Sequence, residues 1–219
     1  MQGLFGVDSP FYRFMWKLVQ LLWLNLLWFL CSLPLVTLGA STTALYYVAM
    51  KMAKDQEGYI ARDFFKAFQM NFKQATVIWL ILAPIGIVLG VNLLYYWILD
   101  YDSSLFIRVV FTVLTAIYSM VCLFVFPALA KFENSIRNTM HFAVVMSIRN
   151  MIWAVLAIGA EIVIIGISLA LYGFPFLIAG SAAAFLQAFI MNHIFDSFIE
   201  KRKSSEENSI MQTEEEGIL

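Results

Sequence analysis

The chain has 219 residues, of which 62% are hydrophobic and only 13% charged, with a formal net charge of −1. Its apolar side chains, which include twenty Phe, six Trp and nine Tyr, exceed what a soluble domain of this length can bury, and large exposed apolar patches drive association in water. Lipid accommodates them, and the lack of a long basic run or of interleaved arginines and aromatics argues against a nucleic-acid partner.

Five apolar stretches follow one another: residues 18–40, 75–99, 105–130, 151–172 and 174–195. Each is long enough to cross a hydrocarbon core of about 30 Å at about 1.5 Å per helical residue. Only Arg108 and Glu161 carry a formal charge within them. Backbone groups in lipid must bond internally, so these stretches predict an all-α, polytopic membrane helix bundle of about five transmembrane helices over residues 1–199. From Glu200 to Leu219 the chain turns polar, with the run Glu214–Glu216. This composition predicts a disordered tail.

The links between the stretches differ. Residues 100–104 contain no Lys or Arg, and Gly173 with Pro175 matches a glycine ending one helix and a proline starting the next. The other two links are basic: Lys51, Lys54, Arg62, Lys66 and Lys73 in the first, and Lys131, Arg137 and Arg149 in the second. With Lys201, Arg202 and Lys203, eleven of fourteen basic residues fall on one side of a five-span arrangement. The positive-inside rule makes that side cytoplasmic, with the N-terminus outside and the C-terminus inside. Arg13 and Lys17, just before the first span, count against this orientation.

Within the first link, Phe65, Phe68 and Phe72 recur at helical spacing beside Arg62, Lys66 and Lys73. This pattern predicts a cytoplasmic amphipathic helix, lying either in the membrane interface or under the bundle. A shift of 76 residues lays 64–90 over 140–166 and matches Ala67, Met70, Leu80 and Gly90 to Ala143, Met146, Leu156 and Gly166. Such a match is compatible with parallel repeats or with shared composition.

The stretch Leu24-Asn25-Leu26-Leu27-Trp28, followed by Ser32-Leu33-Pro34-Leu35-Val36-Thr37-Leu38-Gly39-Ala40-Ser41-Thr42-Thr43-Ala44-Leu45-Tyr46-Tyr47, resembles the YesL family of bacterial membrane proteins. Asp63-Phe64-Phe65-Lys66-Ala67-Phe68 and Phe126-Pro127-Ala128-Leu129-Ala130-Lys131-Phe132-Glu133 extend the resemblance. It implies a multi-pass protein of the bacterial cell membrane, often encoded beside carbohydrate-uptake genes, and it supplies no catalytic residues.

Glu161 is the foremost candidate for chemistry, about eleven residues from either end of its stretch and so near the bilayer midplane. A charged residue there costs about 2.5–3.5 kcal/mol on insertion scales. Two readings stand: a substrate or proton site, or a hydrogen-bonded carboxyl that ties helices together. Depth along antiparallel helices predicts Gln187 as its partner in preference to Arg108, whose long side chain can reach the outer surface. Asn25 and Asn92, each seven residues from an outer end, are expected to pair across helices or to contact a ligand. Thr42 or Thr43 is expected to cap the helix after the Pro34–Gly39 turn. Pro84 and Pro127 are candidate kinks.

His141 and His193 are isolated, and Cys31 and Cys122 sit within apolar runs, so no metal site or disulfide framework is predicted. Phosphate-binding loops, nucleophile elbows and paired catalytic carboxylates are missing from the sequence, so neither a cofactor nor an enzymatic activity is expected. The leading expectation is a non-enzymatic accessory or regulatory protein for carbohydrate uptake. Its partners would be the lipid bilayer and transporter or sensor membrane proteins. The alternative is a small transporter or channel using an intramembrane carboxylate.

Overall fold

The structure, a computed structural model, describes residues 10–56, 58–97, 105–170 and 176–216. Among these residues there are seven α-helices, one short 3-10 turn and no strand. Helix α1 spans Pro10–Ser32, the turn Leu35–Thr37, α2 Leu38–Ala53, α3 Ile60–Trp97, α4 Leu105–Lys131, α5 Ile136–Arg149, α6 Met151–Ala170 and α7 Phe176–Glu216. Helices α1, α3, α4, α6 and α7 are long and apolar enough to cross a membrane. The link 100–104, Gly173, Pro175 and the adjoining span ends at 98–99, 171–172 and 174 lie outside the described residues.

The first apolar stretch is not one helix. Pro34 has no N–H to donate and disfavours helical backbone at Leu33, so α1 stops at Ser32. The Thr37 hydroxyl bonds the carbonyls of Cys31 and Pro34, at 2.5 and 2.7 Å, which closes the reversal. Helix α2 then begins at Leu38 with no side-chain cap. The two threonines expected to cap it act otherwise: Thr42 accepts from the Trp28 indole at 3.2 Å, and Thr43 donates to the Gly39 carbonyl at 2.9 Å. Eleven of the sixteen α2 residues are buried, so this short helix forms the centre of the bundle, packed against α1, α3, α4 and α7. Gly39 permits its closest approach to α3. A Cβ there would lie 2.6 Å from both the Ala75 carbonyl oxygen and Trp79 Cβ.

The reversal changes the topology. Asp55, with φ of 52°, terminates α2 in the left-handed region and pairs with Lys17 of α1 at 2.8 Å. The Lys17 hydrogen bond, with its charge, holds the Asp55 carboxyl below its ordinary pKa. Beside it, Lys54 and Lys131 reach Asp196 of α7 at 2.5 and 3.1 Å, and Lys51 reaches Asp63 of α3 at 2.5 Å. The start of α1 therefore shares one end of the bundle with Asp196. This corrects the expectation that the N-terminal and C-terminal sides of the chain are separated by the bundle. Lys17 thus lies at the end where Lys51, Lys54 and Lys131 form their ion pairs, and Arg13 acts on Asp55 there too. Uninterrupted hydropathy had hidden a helical hairpin inside one apparent span.

Helix α3 has 38 residues, about 57 Å at ~1.5 Å per residue, well beyond the bilayer core. The amphipathic segment expected as a separate helix is its first turns. Phe64, Ala67, Ala75, Ile78 and Leu82 form the buried stripe, while Phe65 and Phe72 are exposed. Pro84 and Pro127 are accommodated within continuous helices. Near the first of them, the Tyr118 hydroxyl donates to the Leu82 carbonyl at 2.9 Å. The segments aligned by the 76-residue shift differ in form, since α3 is continuous and its counterpart is divided at Asn150 into α5 and α6.

Helix α7 runs on to Glu216 where a disordered tail was expected. The apolar part of α7 already provides the costly nucleus, so each following residue adds a bond without a new initiation. Ser204 and Ser205 donate back to the carbonyls of Glu200 and Lys201 at 3.0 and 2.9 Å. Residues 217–219 lie outside the described residues.

Candidate functional site

Three helices meet through one amide. Gln187 of α7 is 2% exposed, and its side chain lies between α2 and α6. Its Oε1 accepts from the Tyr46 hydroxyl, and its Nε2 donates to Glu161 Oε1. In this arrangement the phenol donates to the amide oxygen and the carboxyl oxygen receives from the amide nitrogen, so both ends of the amide are used. Glu161 is half-buried, and its second oxygen, Oε2, accepts no hydrogen bond from the described residues. The structure thus brings together Glu161 and Gln187, and Arg108 on α4 takes no part in this chain. Tyr46 stood out in the sequence only within the family resemblance and not as a site residue, because it fell in what read as a cytoplasmic link. The α1–α2 hairpin is what carries it into the bundle.

The two asparagines are not joined. Asn25, 7% exposed, accepts from the Ser181 backbone N–H at 3.1 Å, and the Ser181 hydroxyl donates to the Leu21 carbonyl at 2.7 Å. Gly180 makes room for this crossing: a Cβ there would lie 2.8 Å from Asn25 Oδ1. Asn92 donates to the Val88 carbonyl of its own helix at 2.7 Å. Their expected common depth assumed the opposite direction for α1: the turn that follows α1 meets α3 at Ala75 and Trp79, Asn92 lies 13 residues beyond Trp79, and Asn25 turns toward α7. Asn25 joins helices and borders the site; Asn92 does neither.

Beside Glu161 lies a cavity of about 880 Å³, walled by α1 and α6 and floored by α2 and α7. Helices α1 and α6 both pack on α7 but share no extensive contact. The groove between them opens sideways, past the exposed Leu22, Trp23, Leu26 and Phe29 of α1. Its floor is made of small side chains, Ala179, Gly180, Ala183 and Ala184, with Leu45 and Tyr46. Glu161 is the one charged residue of its lining. The site can therefore hold an elongated apolar guest and offer it a hydrogen-bonding carboxyl.

Comparison with known proteins bears on one wall of this site. No curated protein and no solved structure matches the chain. Residues 21–93 match the family described as "Protein of unknown function, DUF624", a stretch that covers most of α1, all of α2 and most of α3, and so includes Asn25 and Tyr46 but not Glu161 or Gln187.

Proposed function

We propose that this chain is a YesL-like, non-enzymatic accessory or regulatory protein of the bacterial cytoplasmic membrane, serving carbohydrate uptake by docking a transmembrane helix of a transporter or sensor protein. The observation that carries the reading is the lateral groove with Glu161 on its wall. Ala179 and Ala183, and Gly180 and Ala184, are spaced four apart along its floor. Small residues at this spacing let a second helix approach closely where lipid offers no hydrophobic drive. A carboxyl oxygen left open at mid-depth supplies the polar contact that selects one helix over bulk lipid. The carbohydrate setting rests on the family resemblance alone.

In this reading the basic end of the bundle is cytoplasmic, so α1 begins and α7 ends on the inside. The test is co-purification from native membranes after photocrosslinking from position 183. Enrichment of a transporter or sensor component, abolished by Ala183→Trp, supports docking. Crosslinks to lipid alone reject it.

A second reading, a small transporter, draws on the unbroken Tyr46–Gln187–Glu161 chain. It requires substrate- or proton-dependent flux in reconstituted vesicles that Glu161→Gln alters. Wild-type vesicles without flux reject that alternative.

A further inference from the structure

At the basic end, away from the groove, two adjoining cavities of about 190 and 710 Å³ share Met146, Arg149 and Phe198, the smaller lined by α5, α6 and α7 and the larger by α5, α7 and the segment between α4 and α5. Lys201 and His193 line the smaller one, and Arg202, Lys203 and His141 the larger. Glu133 is the one acidic side chain lining either cavity. Four other lysines, Lys17, Lys51, Lys54 and Lys131, are paired with aspartates, the last two sharing Asp196. Arg149, Lys201 and Lys203 have no ion pair among the described residues. Their charge is left for something else.

The surroundings identify what it meets. Arg149 ends α5 and Met151 begins α6, so the guanidinium sits where the chain enters its membrane-crossing segment. Ile148, Ile152 and Trp153, exposed at 72%, 77% and 44%, face outward at that level. Tryptophan there is the residue of the headgroup layer. Asn138 and Asn150 add amide groups to the lining. We infer that this junction is a binding site for the phosphate of an anionic phospholipid, with Arg149 and Lys201 as its principal cations and the acyl chains running along Ile152 and Trp153. An arginine fork matches a phosphate through paired N–H donors. Basic pockets between helices on the inner side are the expected seat for such headgroups.

The test uses the full chain reconstituted in nanodiscs of phosphatidylcholine with and without phosphatidylglycerol, following the midpoint of thermal unfolding at constant ionic strength. Phosphatidylglycerol is expected to raise the midpoint, and Arg149→Gln with Lys201→Gln to remove most of that rise. Lys66→Gln with Lys73→Gln takes the same charge from α3, outside both cavities, and should leave the rise intact. An equal loss in both double variants would overturn the site in favour of diffuse attraction. An equal rise on adding inorganic phosphate to phosphatidylcholine discs would overturn the assignment to lipid.

Discussion

Gln187 of α7 donates to Glu161 of α6 while accepting from Tyr46 of α2, so one side chain holds three helices by its two ends. Gln187→Leu removes both bonds and leaves a buried phenol without its acceptor. Interhelical bonds in membranes contribute about 0.6 kcal/mol each, up to about 1.7, so a loss of about 1–3 kcal/mol is expected. Reversible unfolding in detergent measures it; an unchanged stability would contradict the bonding described.

Glu161→Leu separates structural from functional use of the same residue. It loses a single bond of about 0.6 kcal/mol and leaves the buried Gln187 amide N–H without its acceptor, but escapes the insertion cost of about 2.5–3.5 kcal/mol. The variant is expected to unfold at the same or a higher temperature while failing to retain its partner helix in co-purification. A marked loss of stability with the partner retained would assign Glu161 to helix pairing alone.

Two glycines are expected to respond in opposite directions. At Gly39 an added Cβ meets the backbone oxygen of Ala75 at 2.6 Å, and backbone cannot swing away, so Gly39→Ala should destabilise by about 1–3 kcal/mol. At Gly90 no atom lies within 4 Å of such a Cβ, so Gly90→Ala should be neutral or stabilise by up to about 1 kcal/mol through helix propensity. Comparing their unfolding midpoints with that of the parent chain checks both.

The Lys17–Asp55 pair carries a pH signature. Because Lys17 lowers the Asp55 pKa in the folded protein, the pair's contribution is present above the ordinary carboxylate range and is lost as pH falls through the lowered folded value. A double-mutant cycle with Lys17→Gln and Asp55→Asn should show a small coupling at neutral pH that salt weakens and strong acid abolishes. Coupling that persists in strong acid would contradict an ion pair.

The all-helical class and the presence of five long apolar helices were legible in the sequence because length and apolarity fix them. The Glu161–Gln187 pairing was legible because depth along a helix is a count of residues. What could not be read was anything decided by chain direction or by the face a residue presents: the reversal of α1 removes the shared level expected for Asn25 and Asn92. The hairpin at Pro34 was obscured because α2 is central and therefore apolar, so hydropathy ran on through the turn. With it went the placement of Tyr46 and of the α1 end, although Arg13 and Lys17 recorded the conflict as two charges on the wrong side. The helical form of residues 200–216 was masked by a polar composition that is equally compatible with disorder.

The groove, its floor and the three-residue chain all depend on α2 returning through the bundle to the end where α1 began. Single-cysteine chains, with Cys31 and Cys122 replaced, measure this with a membrane-impermeant thiol reagent applied to intact cells. Leu35→Cys, at the exposed turn, should be labelled, while Lys17→Cys and Lys201→Cys should be labelled only after the inner face is opened. Labelling of Lys17→Cys from outside, with Leu35→Cys protected, would mean that a single helix crosses from Lys17 past Pro34, and the hairpin would be contradicted.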